Sequence, residues 1–248
     1  MADADRARHD AQPAFVLHSY PFRETSLVLE VFTRHHGRIA LVARGARRPR
    51  SALRGVVQAF QPLLLSWAGK AELRTLHKAE WQGGLPQLRG EGLLCGFYLN
   101  ELLLKLLARD DPHEQLYAAY GETLQVLGRH DDHAGTLRRF EMRLLQELGY
   151  ALTLDRDAGS GEAVQPAFVY RYLIERGPVR SEGADTRGEG AQNGLELSGQ
   201  TLLDMARGDF SNPVTLQQSK ALMRVLINHY LGRQTLNTRQ LLKDLQQL

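Results

Sequence analysis

The sequence predicts a mixed α+β protein: an N-terminal OB-type β-barrel followed by an all-helical C-terminal domain with an irregular Gly-rich insertion. Three observations carry that expectation. From Phe15 to Trp81 short apolar and β-branched runs dominate, the pattern of half-buried strands. Gly83-Gly84-Leu85-Pro86 ends that pattern, and apolar residues then recur at three- and four-residue steps, the period of a helix with a buried face. Seven glycines crowd the stretch from Asp155 to Gly194, too many for regular structure throughout. Residues 1–13 read as a polar disordered tail, 14–82 as the barrel and 83–248 as the helical domain, with the insertion at about 155–197.

In the barrel segment, Ser26–Thr33 alternates and is rich in branched residues. Arg38–Ala43 follows after His35-His36-Gly37, which reads as a hairpin turn. Val56–Phe60 and Leu63–Trp67 read as further strands, Ala68-Gly69-Lys70 as a second turn and Leu73–Glu80 as the last strand. Four or five such strands in about 70 residues leave exposed edges as an open sheet, which a small closed barrel removes. An SH3-like barrel is the alternative to the OB type.

Helical signals follow. Glu91–Ala108 is apolar around much of its circumference and reads as a central buried helix. Asp111-Pro112-His113-Glu114 supplies an N-cap, a first-turn proline and a capping-box acid for a helix to about Gly128. A third helix spans about His133 to Leu148 and stops at Gly149. Phe168–Ile174 is one β-like piece in the insertion, and much of 181–194 reads as an exposed loop. Ser198 caps a short helix to about Arg207; further helices run from about Thr215 to Leu231 and from Thr238 onward.

Composition excludes several classes. No apolar run approaches about 18 residues, so no membrane-crossing helix and no membrane partner is expected. The N-terminus lacks the apolar core of a signal peptide. Cys95 is the only cysteine, so neither a disulfide framework nor a Cys-based zinc cluster is available, which fits a reducing cytosol. Phosphate-loop, dinucleotide-turn and nucleophile-elbow patterns are absent. His35 and His36 read as exposed turn residues, and His130-Asp131-Asp132-His133 as a polar interhelical loop that caps the next helix. The expectation is therefore a protein that is not an enzyme, with no catalytic residue, no cofactor and no metal.

Charge is the informative signal. Residues 1–80 hold 13 Lys/Arg against 7 Asp/Glu, +6, and residues 81–248 hold 18 against 21, −3. Such asymmetry points the first segment at a polyanion. Arg44, Arg47, Arg48, Arg50 and Arg54 follow one another with no carboxylate between them. Gly45 and Pro49 keep this loop from continuing as a strand or helix, so it reads as a mobile arm. Arg23, Arg34, Arg38, Lys70, Arg74 and Lys78 add to the basic barrel face. The guanidinium fork can make two hydrogen bonds to one phosphate. Neutralising about six to eight phosphates of a single strand gives a log–log salt slope of about −4 to −6. Phe22 and Trp67 are candidate base stackers, with the core the favoured reading of each because neither sits clearly on a polar face.

Several segments, in order along nearly the whole chain, resemble the bacterial RecO family of recombination mediators. They are Phe15–Ser26, Ala43-Arg44-Gly45-Ala46-Arg47, Tyr98-Leu99-Asn100-Glu101-Leu102, Leu148-Gly149-Tyr150, Tyr230–Leu236 and Thr238-Arg239. The resemblance implies an OB fold with a helical domain, acting in DNA repair and recombination through the RecF pathway. It implies binding of single- and double-stranded DNA and annealing of complementary strands. It further implies contact with the acidic tail of single-stranded-DNA-binding protein, and cooperation with RecR to load RecA. A cytoplasmic, nucleoid-associated location goes with that role. Arg138-Arg139-Phe140 resembles a family segment associated with the acidic tail and reads equally as an ordinary amphipathic helix surface. Some RecO-like proteins carry a four-cysteine zinc site after the Leu-Gly-Tyr segment; here Asp157 and the Gly-rich stretch stand there, so that region is expected to form without metal. The alternatives are a non-catalytic adaptor that docks protein tails, and an RNA-binding OB protein.

Overall fold

The computed structural model describes residues 8–129, 132–181 and 194–238. The chain forms two compact units, one running to His133 and including the segment from Thr235, the other Ala134–Gln234.

The first unit is built on β1 (Arg8–Phe22), β2 (Ser26–Thr33), β3 (Gly37–Ala43), β4 (Pro62–Ala68) and β5 (Leu73–Trp81). They close into a barrel in the order β1-β2-β3-β5-β4. β3 and β5 are parallel and every other pair is antiparallel, the five-stranded OB arrangement expected from the sequence. Alternate residues point inward, and Leu29, Val31, Ile39, Leu41, Leu63, Leu65 and Trp67 fill the interior.

Two local expectations are corrected. β1 starts at Arg8, so residues 8–13 are strand rather than tail; residues 1–7 lie outside the described residues. The strand is long because it pairs with β2 over Ala14–Phe22 and with β4 over Arg8–Phe15, and register shifts at His9/Gln12 and Val16/His18 let it bend. Val56–Phe60 is not a strand: Leu53–Val56 forms a single helical turn, α1, and Ala59 makes only an isolated bridge to Val16. Its apolar residues act as plugs, Val57 in the barrel core and Phe60 against Phe97 at 5.1 Å.

Helices α2 (Gly90–Leu106) and α3 (Glu114–Leu127) cover the outside of β1 and β2. Phe15 and Phe32 meet the rings of Tyr117 and Tyr120 at 5.0 to 6.4 Å. Buried Asn100 donates to the Leu17 carbonyl at 2.8 Å and accepts from the Tyr120 hydroxyl at 2.5 Å. α3 begins at Glu114, not at the expected Asp111-Pro112, because the preceding segment lies along β3. Asp110 N donates to the Arg38 carbonyl at 3.1 Å, and Arg109 bridges to Arg38. Gly37, with φ +61°, lies so close to the Asp111 carbonyl that no Cβ fits.

The second unit holds α4 (His133–Glu147, its first residue in the other unit), α5 (Gly199–Arg207) and α6 (Pro213–Leu231), as the helical reading expected. It is not all-helical. β6 (Val169–Leu173), β7 (Gly177–Arg180) and β8 (Gly194–Ser198) form a sheet in the order β7-β6-β8. Tyr170, Tyr172 and Leu197 bury one face of it. Only β6 carried a legible apolar pattern; its neighbours are short and open at glycines, so their pairing comes from β6. Residues 182–193, and the expected helix beyond Thr238, lie outside the described residues.

Candidate nucleic-acid interface

The barrel topology sorts the basic residues by end. β1 finishes, β2 starts and β3 finishes at one end, and β5 finishes there too because it runs parallel to β3. That end carries Arg23 in the β1–β2 turn and Arg44, Arg47, Arg48, Arg50 and Arg54 after β3. The loop is not the mobile arm expected. Successive turns close it: Ala46 N donates to Ala43 O, Arg48 N to Gly45 O, Ser51 N to Arg48 O and Arg54 N to Ser51 O. Ala46 is buried in the core. Arg47 ties the loop to the β1–β2 turn, through its amide to Thr25 O at 2.9 Å and its guanidinium to the Glu24 and Arg23 carbonyls.

The remaining cations at this end are exposed, and Arg23, Arg44, Arg48, Arg50 and Arg54 have no ion pair among the described residues. Arg23 lies 5.2 Å from the centroid of the Phe22 ring. Five guanidiniums on a hydrogen-bonded loop and an adjacent turn make a preorganised cationic surface. Ordering it beforehand lowers the entropy lost when an anion binds.

The opposite end is different. Glu30 sits across from Ala40 in the β2–β3 ladder, so Arg38 is its diagonal neighbour on the same face. Glu30 accepts from Arg38 at 3.1 Å and from Arg109 at 2.6 Å. Arg38 Nε also donates to the Leu107 carbonyl, and Arg109 reaches Glu72 at 3.3 Å. Arg74 pairs with Asp110 at 2.5 Å and its side chain is only 14 % exposed. Arg34 shares Glu114 with His35, whose hydrogen bond, ahead of the Arg34 charge, holds that carboxyl below the usual range. Lys78, in the half of β5 nearer the arginine end, pairs with Glu80 at 2.9 Å. Lys70 is exposed and also has a partner. So Arg38 and Arg74 are structural, holding the α2–α3 connection to the barrel.

Of the two candidate stackers, Trp67 is fully buried. His9 stacks on it at 5.0 Å, and His36 meets it edge-on at 5.3 Å. Burial, then His9, Arg74 and His35, lowers the His36 pKa, so this group packs as a neutral ring at pH 7. Phe22 is half-buried at the arginine end. Trp81 at the end of β5, which sequence reasoning passed over, is 61 % exposed. The signal was there: an aromatic that ends a strand ahead of Gln82-Gly83-Gly84 continues the apolar alternation past the last core layer.

In the second unit, the three expected tail-binding residues separate. Arg138 is buried in an ion pair with fully buried Glu141 at 2.6 Å, and Phe140 lies in the core. Neither is the surface residue expected, because the face of α4 that carries them is its inner one. Arg139 alone is exposed. It donates to the Gly208 carbonyl at 3.0 Å, sits 5.5 Å over the Phe210 ring and borders a cleft of 420 Å³. Met142, Leu152, Leu154 and Met205 give that cleft an apolar lining.

After the Leu148-Gly149-Tyr150 segment, Asp157 is buried and accepts from three backbone amides. These are Gly159 at 2.6 Å, Arg180 at 2.9 Å and Ser160 at 3.1 Å. Burial pushes its pKa up, and the amides with the Arg180 charge outweigh it, so the carboxyl stays ionised below its usual range. Among the described residues no cluster of three or more His, Cys, Asp or Glu is placed to hold a metal. In the His130–His133 loop, His130 and Asp131 lie outside the described residues, and His133 reaches Glu91 at 3.5 Å.

Two family models match the chain: the N-terminal domain of recombination protein O over residues 9–84 and its C-terminal domain over 87–240. The chain belongs to the RecO family. The DNA repair protein RecO of Nitrosospira multiformis is 61 % identical, covering 99 % of this chain and 100 % of the relative. The RecO of Aromatoleum aromaticum is 59 % identical over the same shares, and that of Dechloromonas aromatica 55 % identical, covering 98 % and 99 %. No described helix is long and apolar enough to cross a membrane.

The segments that carry the RecO resemblance do structural work here. Asn100 joins β1 to α3, as above. Glu101 accepts from Asn237 N at 2.8 Å, Thr238 N at 2.9 Å and the Thr238 hydroxyl at 2.6 Å, and pairs with Lys105 at 2.8 Å. Leu148-Gly149-Tyr150 ends α4 in a Schellman motif: Tyr150 N donates to Leu145 O, Gly149 N to Gln146 O, and Gly149 takes φ +84°.

Proposed function

We propose that this DNA repair and recombination protein is a mediator that binds single- and double-stranded DNA at the arginine end of its barrel and anneals complementary strands. The observation that carries the reading is the group of five guanidiniums at that end without an ion pair among the described residues. Arginines already paired with carboxylates have their charge neutralised; these do not, and the turns order the backbone that carries them. Annealing requires no bond-making chemistry. A cationic surface screens two phosphate backbones from each other, and base pairing then drives the product. A cytoplasmic, nucleoid-associated location accompanies this reading.

The absence of ion pairs among the described residues supports Arg23, Arg44, Arg48, Arg50 and Arg54 as the core of the eleven-residue contact set. About five neutralised phosphates give a salt slope of about −3.5 on a single strand. The test is a salt titration of oligonucleotide binding, with a strand-annealing assay beside it, on the chain and on its Arg44/Arg48/Arg50/Arg54→Ala variant. The slope should become shallower by about 3 and annealing should fall with it. An unchanged slope would refute the assignment.

Arg139 and the apolar cleft beside it support a second contact, with an acidic peptide that ends in apolar side chains, the chemistry of the single-stranded-DNA-binding protein tail. Guanidinium and carboxylate pair while the cleft takes an apolar side chain. Cooperation with RecR in loading RecA follows from family membership and is proposed on that ground.

A further inference from the structure

We infer that Trp81 is a nucleobase-stacking platform at the arginine end of the barrel, an inference that rests on the DNA-binding reading above. Trp81 is the most exposed large apolar side chain among the described residues. It ends β5 and pairs with Leu63 at the start of β4, which places it at the same end of the barrel as the arginine loop. Ala79, two residues earlier, packs on the core. The indole therefore continues the inner strand face one step beyond the barrel mouth. The core is closed without it.

The ring is held, not loose. Its Nε1 donates to Gln61 Oε1 at 3.0 Å. Gly83, with φ +71°, turns back so near that a Cβ there would lie 3.7 Å from the six-membered ring. The hydrogen bond to Gln61 orients the indole and leaves most of it in water. A tryptophan so oriented and so exposed is ready to stack with little further loss of side-chain freedom.

The surroundings select the occupant. A cleft of 350 Å³ opens beside the ring, lined by Gly55, Val56, Gln58, Gln61, Leu85 and Gln87. It has no charged side chain, and its amides both donate and accept, so they suit a flat heterocycle with mixed polar edges. Gly55 directly follows Arg54, whose guanidinium has no ion pair among the described residues. Phosphate on the arginine loop and a base on Trp81 are the two halves of one ligand, a single-stranded nucleic acid. A base inside a duplex has both faces covered and cannot take this position. Every base has a π-face, so the contact is sequence-tolerant.

The chain has two tryptophans and Trp67 is sealed in the core, so ligand-induced changes in emission report Trp81, checked by subtracting the W81F signal. An oligothymidylate and an abasic oligomer of equal length are titrated separately. Oligothymidylate should quench the emission; the abasic oligomer should bind through its phosphates without quenching. Trp81→Ala should weaken oligothymidylate binding roughly tenfold, leave abasic binding and the salt slope unchanged, and keep the native circular dichroism. Trp81→Phe should restore much of the affinity. Binding of both oligomers with no difference in quenching, or an unaltered affinity ratio in the alanine variant, overturns the stacking role alone. Failure of both to bind overturns the DNA-binding reading and the stacking role with it.

Discussion

Replacing Glu101 with Gln should remove an acid-sensitive lock on the segment around Thr238. Burial raises the pKa of this carboxyl, but Lys105, the Thr238 hydroxyl and the Thr238 and Asn237 amides outweigh it and bring it from 4.5 down to about 2. A carboxyl whose pKa is lower folded than unfolded contributes stability above its unfolded value and loses it as pH falls. The full shift corresponds to about 3 kcal/mol, an upper figure because Lys105 remains partly solvated. Between pH 7 and pH 3 about 2 kcal/mol of that should be lost. Other carboxyls titrate over the same range, so the informative quantity is the gap between the chain and its Glu101→Gln variant. That gap, measured by urea unfolding, should be about 2–3 kcal/mol at pH 7 and under about 1 kcal/mol at pH 3. Hydrogen exchange at the Asn237 and Thr238 amides at pH 7 should quicken in the variant. A gap that stays constant with pH would show that the charge on Glu101 contributes nothing and that only side-chain shape matters.

Two further outcomes follow from the ion-pair geometry. Glu30→Gln leaves Arg38 and Arg109 without their shared carboxylate at a site where the Glu30 side chain is 9 % exposed. It should destabilise the fold by about 2–4 kcal/mol in chemical denaturation while leaving the salt slope of DNA binding unchanged. A changed slope with unchanged stability would reverse the division between structural and free arginines. Arg139→Glu should abolish binding of an acidic, Phe-terminated peptide in fluorescence anisotropy, with Arg138→Lys affecting stability rather than peptide affinity; equal peptide affinity in the Arg139 variant would remove the cleft from consideration.

Periodicity and composition alone made four of the five barrel strands and the main helices legible, because each is a local property, while the first strand, the register and the choice between an OB and an SH3-like barrel were decided by the pairing. Leu29 and Val31 alternate whatever lies next to them, and Ser198 and Gly149 mark helix ends through their own backbone and side-chain chemistry. The arginine loop was legible as well, since no acid interrupts it. What tertiary structure decided was which charges are free. Glu30, Asp110 and Glu114 are distant in sequence from Arg109, Arg74 and Arg34, and only closure of the barrel brings them within ion-pair reach. The same holds for Trp67, filled over by His9 and His36, and for Trp81, left in water by the end of its strand. β7 and β8 were hidden because short strands opening on glycine take their conformation from a partner rather than from their own residues. Solvent exposure and electrostatic pairing depend on neighbours in space, which the order of residues does not state.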